Sequence, residues 1–254
     1  MALMAACGDA ATDTTATGND PSAACPATGE AWETTKLYIE HNATDLDTGV
    51  HGLLIGHGWQ VVCLFGPTDE LLMVIEPKGT LGELGLADLF FESREPENAD
   101  YPISQLKEDF PEGTYRVAGI DVEGTPLVGE AWFTHAIPMG PVITFPVLSE
   151  EETAIDPVSV VPTTGLVVTW EPVTQTIDGA PLQLTGYEVI VTAIEMEDPN
   201  GWSQPIVDVH IPPGVTSLSI PDEFLIPGTV YELEVLALEI SGNQTLSSGF
   251  FATE

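Results

Sequence analysis

The side chains in this sequence best disposed for chemistry are the oxygens of one short stretch, Asn42-Ala-Thr-Asp45-Leu-Asp47-Thr-Gly49. Two carboxylates alternate there beside an amide, and the glycine allows a tight bend. Calcium takes about 6–8 oxygen ligands, often from alternating carboxylates followed by glycine. Asn42, Asp45 and Asp47 are therefore a candidate calcium site, and calcium is the one cofactor the sequence suggests. The stretch lacks the bidentate glutamate that closes an EF-hand, so that motif is not claimed. The same letters also make an Asx-type turn that needs no ion. Nearby, His41, His51 and His57 could bind Zn2+ or Cu2+ through their imidazoles. The intervening Gly52-Leu-Leu-Ile-Gly56 reads as strand or turn that carries His51 and His57 apart, so exposed or packed histidines are the plainer reading. His135 and His210 have no partner motif.

Catalytic signatures are missing from the sequence. It contains no Gly-x-Ser-x-Gly elbow, no His-Glu-x-x-His, no Walker loop and no Gly-x-Gly-x-x-Gly. Cys63 lies in the apolar run Val61-Val-Cys-Leu-Phe65, where burial raises a thiol's pKa and leaves it inert. The 40 carboxylates offer many pairs of the kind that glycosidases use, which makes each pair uninformative. The expectation is a protein that is not an enzyme.

Charge narrows the partners. Asp and Glu total 40 against 5 Lys and Arg, for a net charge of −35. So few cations cannot neutralise a run of phosphates, which excludes nucleic acid as a partner. The same shortage argues against docking on an anionic membrane surface. Acids spread this evenly read as a solvated surface kept soluble where salt screens self-repulsion, as in the sea or another saline habitat.

The first residues, Met1-Ala-Leu-Met-Ala-Ala-Cys7-Gly-Asp, resemble the end of a bacterial lipoprotein signal. Cys7 is the lipidation candidate that this resemblance implies, with membrane contact only through that anchor. Residues 8–30 are small and polar and bury too little surface to offset the entropy of ordering, so 1–30 reads as partial signal and flexible tether. With Cys7 lipidated, Cys25 and Cys63 remain as an even pair in an oxidising compartment, a candidate disulfide. Cys63 as a small buried hydrophobe is the alternative.

The elements that must position these groups are strands. Over residues 139–254, short runs alternate with period two: Leu166, Val168 and Trp170; Tyr187, Val189 and Val191; Leu218 and Ile220; then Tyr231, Leu233, Val235 and Ala237. Such facing sets close a sandwich core. The order resembles a fibronectin type III domain. Trp170 matches its buried second-strand tryptophan, Gly186-Tyr187-Glu-Val-Ile-Val its third strand, and Tyr231 its tyrosine corner. That family implies a binding or spacer module without catalytic residues. Trp202, in the turn-rich Asp198-Pro-Asn-Gly-Trp202, is the candidate partner contact. The first strand is hard to place in the acidic approach from Val147 to Gly165.

Residues 31–138 also read as strands: Lys36–Asn42, Gly58–Phe65, Glu70–Glu76, Gly113–Asp121 and Pro126–His135. Leu84–Phe91 is ambiguous between strand and helix. One short helix is expected, capped by Asp100, with Ile103, Leu106 and Phe110 on one face. The block from Ile39 to Gly49 resembles a segment of uncharacterised secreted bacterial proteins and brings no activity with it. The expected fold is all-β, with two tandem β-sandwich domains: an immunoglobulin-like one with a short helix (31–138) and a fibronectin type III one (139–254). The expected role is non-catalytic binding or spacing at the bacterial envelope, in adhesion to an extracellular protein or polysaccharide. A calcium-dependent surface module and an accessory subunit of an extracellular hydrolase are the alternatives.

Overall fold

The computed structural model describes residues 25–194, 196–197 and 204–254. Cys7 and Trp202 lie outside the described residues, as does most of the expected tether. The N-terminal half contains β1 (Glu30–Ala31), β2 (Thr34–Asn42), β3 (Asp47–Phe65), β4 (Leu71–Ile75), β5 (Leu86–Glu92), β6 (Gly113–Asp121) and β7 (Pro126–Phe133). Two short helices interrupt it, α1 (Gly79–Leu84) and α2 (Ile103–Asp109). The C-terminal half contains β8 (Ile143–Phe145), β9 (Val160–Val161), β10 (Val167–Trp170), β11 (Leu184–Ala193) and β12 (Ile206–Ile211). It ends with β13 (Ser217–Ser219), β14 (Val230–Glu239) and β15 (Gln244–Thr253). Among the described residues, no helix is long and apolar enough to cross a membrane.

The C-terminal half has the layers that its alternation implies. The small sheet β13-β10-β8 faces β15-β14-β11-β12. Between them lie Trp170, Tyr187, Val189, Tyr231, Leu233 and Phe251, all buried. The Tyr231 hydroxyl accepts from the Ile226 amide at 2.7 Å and donates to the Phe224 carbonyl at 3.2 Å, closing the expected tyrosine corner. The first strand, β8, precedes the acidic approach instead of lying inside it.

The N-terminal half departs from an immunoglobulin-like sandwich. β3 is a single long strand that takes β2 and most of β5 as neighbours before Gly58, then β6 and β4 after it, with one further β5 pair at Trp59↔Leu86. Gly58, at φ +81°, permits the change of partner where a side chain would be strained. β1 lies parallel on β7 and leads directly into β2, so the two edges are tied and the half curls around one core. Trp32, Trp59, Tyr115 and Phe133 fill that core. Trp32 fits because glycines face it: a Cβ on Gly56 or Gly119 would stand 2.7 or 2.6 Å from its ring. A disulfide joins Cys25 to Cys63, with Cα atoms 5.9 Å apart, and pins the segment before β1 to the far end of β3.

The helical details also differ from expectation. The described N-terminal half has two short α-helices, because Leu84–Phe91 resolves into the end of α1 followed by β5. Asp100 does not cap α2. Pro102 holds the cap position, and the Asp100 amide donates to the Glu97 carbonyl in the preceding turn.

The largest difference lies at the junction. The halves have separate cores, but β15 pairs in parallel with β2 through Gln244↔Glu40, Thr245↔His41 and Leu246↔Asn42. One sheet therefore runs β1-β7-β6-β3-β2-β15-β14-β11-β12, across the boundary expected at 138/139. Two independent tandem sandwiches would leave the edges of β2 and β15 unpaired. Pairing them satisfies both edges at once. Asn243, fully buried, extends the ladder by one rung with its side chain: Oδ1 accepts from the Ile39 amide at 2.8 Å. Its Nδ2 donates to the carbonyl and hydroxyl of Thr134, each at 3.0 Å.

Candidate functional site

Side chains alternate across a strand, so the register of the shared sheet decides which of them meet on its outer face. Leu37 and Ile39 of β2 point into the core, which turns Tyr38 and Glu40 outward. Tyr38 pairs with His51 of β3, and Glu40 with Gln244 of β15. Farther along the face, Glu188 of β11 pairs with His210 of β12. These residues line a cleft of about 580 Å³ at the seam, together with Phe90 of β5.

His51 is the most constrained group in the cleft. Its side chain is only 4% exposed, and the rings of Tyr38 and Phe90 lie 5.4 and 5.8 Å away. Nε2 stands 2.9 Å from Glu95 Oε1, a hydrogen bond, while Nδ1 stands 3.8 Å from Glu40 Oε2. Glu40 Oε2 also accepts from the side-chain Nε2 of Gln244. On the opposite wall His210 Nε2 lies 3.3 Å from Glu188 Oε1, with Asp208 beside them. In each group, Glu40–His51–Glu95 and Glu188–Asp208–His210, the nearest donor atoms all lie within 4.8 Å of one another. One imidazole with two carboxylates is a donor set suited to divalent transition ions.

Burial and crowded acids shape the electrostatics. Burial pushes Glu95 above the usual carboxylate range, against the opposing hydrogen bond from His51. Burial raises Tyr38 to about 12, helped by Glu40 and Glu188. Glu188 is raised to about 7, chiefly by burial; His210 opposes that shift, while Asp208 and Glu40 add to it. Glu234, on the same face of β14, is also raised to about 7, by burial and then by Glu232, Glu40, Glu188 and Asp208.

A raised carboxylate favours the folded state while it stays protonated. That stability is fully present below the ordinary value of 4.5 and is lost as pH rises through about 7. The melting temperature at constant ionic strength should therefore fall between pH 5 and pH 8, and Glu234→Gln should flatten the fall. A wild-type profile that is level across this window, or one that Glu234→Gln leaves as steep, would contradict the assignment.

The candidates read from the sequence lie elsewhere. Asn42, Asp45 and Asp47 surround the β2–β3 hairpin turn. Asn42 Oδ1 accepts from the amides of Thr44 and Asp45 at 2.9 and 3.0 Å, the geometry of an Asx turn, and its Nδ2 donates to Asp45 Oδ2 at 2.8 Å. None of these three side chains belongs to either convergent group among the described residues. His41 is packed, with Nδ1 donating to the Asp47 carbonyl at 2.9 Å, and burial lowers its pKa. The structure keeps the three histidines apart, with His57 exposed beside Glu33. The acids Glu40, Glu95, Glu188 and Asp208 escaped sequence reading because their partners are distant in the chain. The polar-out alternation of β2 marks a solvent face, but nothing local says what stands opposite.

No family model matches the sequence, and no curated protein matches it. Among solved structures, the chain is similar over 88% of its length to the FN1–FN3 domains of chicken CNTN1, at 13% identity and a TM-score of 0.29, covering 68% of that chain. It is similar over 87% of its length to a tetra-tandem repeat in the extending region of a large adhesion protein, at 11% identity and a TM-score of 0.29. The chain covers half of that second structure, at 50%. The likeness to fibronectin-type tandem domains is distant, and at that TM-score it assigns neither a function nor a domain division.

Proposed function

We propose that this chain works outside the cytoplasm as a non-catalytic binding and spacing protein, holding an extracellular protein or polysaccharide at the cell envelope. The observation that carries this reading is the pairing of β2 with β15, which joins two β-rich halves into one body with a broad outer face and an open cleft. A stiff, wide face suits contact with a large partner better than enclosure of a small substrate. The Cys25–Cys63 disulfide supports an oxidising compartment. The net charge of −35 suits a saline exterior, where ions screen self-repulsion.

The purified full chain, chelator-treated, would be applied to a glycan array and to a panel of polysaccharide and peptide hydrolysis assays. Binding without turnover is the expected result. Turnover of any substrate by the chain alone would overturn the reading, and binding that appears only with a co-purifying hydrolase would replace it with the accessory-subunit role.

A further inference from the structure

We propose that the seam cleft binds a divalent transition-metal ion through His51 Nδ1 and Glu40, with Glu95 holding the other nitrogen of the ring. This goes beyond the binding and spacing role and does not rest on it. The two contacts of the imidazole differ in kind. At 2.9 Å, Nε2 and Glu95 make a hydrogen bond, so in the neutral ring the proton sits on Nε2 and Nδ1 carries the lone pair. At 3.8 Å, Nδ1 and Glu40 are too far apart to hydrogen-bond. Two ligands of one tetrahedral zinc, with bonds of about 2.1 Å, stand about 3.4 Å apart, so a small rotation of Glu40 closes the pair on an ion. The arrangement of carboxylate, histidine and ion is the one in which an outer acid fixes ring orientation and tautomer.

The buried imidazole carries this inference, and the surrounding acidity does not. Tyr38 and Phe90 hold the ring in place, so binding an ion costs little further ordering. The nitrogen donor favours Zn2+, Cu2+ or Ni2+ over Ca2+ and Mg2+, which prefer oxygen alone. The second group offers the same donors, but its His210 side chain is 67% exposed, against 4% for His51, so it is the weaker site.

The test is a calorimetric titration of the chelator-stripped full chain with Zn2+ at pH 7.5, followed by Ca2+. One zinc event in the micromolar range is expected, weakened at least about tenfold by Glu40→Gln and about tenfold by Glu95→Gln, which alters only the outer contact. Asp47→Ala, in the hairpin turn, should leave it unchanged. Because His51→Ala removes a packed ring, the imidazole 15N resonances of the unmutated chain supply the second readout. Nδ1 of His51 should shift on adding Zn2+ while Nε2 keeps its proton. Absence of a zinc event, an event unaltered in Glu40→Gln, or shifts confined to the other histidines would overturn the proposal. The binding screens above are run in chelator, so either idea can fail while the other stands.

Discussion

Replacing Asn243 by alanine should destabilise the chain by about 3–5 kcal/mol and separate the unfolding of its halves. This residue is fully buried and spends its amide across the seam, on the Ile39 amide and on both oxygens of Thr134. Alanine leaves the buried Ile39 amide and the part-buried Thr134 carbonyl without these partners, and each such orphan costs about 1–3 kcal/mol. Asn243→Asp is no rescue. It keeps the acceptor for Ile39 but loses the donor and buries a negative charge in an already acidic protein. Chemical denaturation followed by tryptophan fluorescence reads both effects, since Trp32 and Trp59 report on one core and Trp170 on the other. A loss below about 1 kcal/mol with a single unchanged transition would mean that water replaces the amide and that the seam does not depend on it.

Breaking the Cys25–Cys63 bond should have the second large effect. The bridge closes a segment with a sequence separation of 38. Loop-closure entropy for that length amounts to roughly 4 kcal/mol. In a chain of this size that corresponds to a fall of roughly 10 °C in melting temperature. The local consequence is more specific, because the bridge anchors the segment leading into β1, and β1 ties β7 to β2. Cys25→Ala is the cleaner variant, since it leaves Cys63 as a small apolar group among Val61, Phe65 and Ala118. Melting with and without reductant, alongside thiol counting, provides the measurement. Equal midpoints after verified reduction would show that the bridge does not stabilise the fold.

The C-terminal half was legible because its strands obey one rule throughout. Val168, Tyr187, Val189, Tyr231, Leu233 and Val235 recur at every second position along their strands, and all six are buried. The hairpin chemistry around Asn42 was legible too in its Asx turn, but Gly49 lies in β3 opposite Glu40, and the left-handed turn residue is Leu46 at φ +59°. β3 was legible only in its second part, Gly58–Phe65. Its run from Val50 to Phe65 is apolar on both faces and broken by glycines, so it shows no continuous alternation, and Gly52–Gly56 reads equally as strand or turn. The seam had no local signal. Parallel pairing of β2 with β15 joins residues some two hundred positions apart, and only long-range packing decides it. The Glu40–His51–Glu95 group was hidden for the same reason, since one member comes from β2, one from β3 and one from beyond β5.

The direction of the seam bears on how the body would respond to force. β2 and β15 run parallel, one near each end of the described chain. A pull that draws the start of β2 and the end of β15 in opposite directions acts along the strands, so the Glu40–Asn42 and Gln244–Leu246 rungs are loaded together in shear. An antiparallel seam would peel open one rung at a time. For a molecule holding a partner in moving water, tension would thus meet its strongest resistance at the junction between the halves.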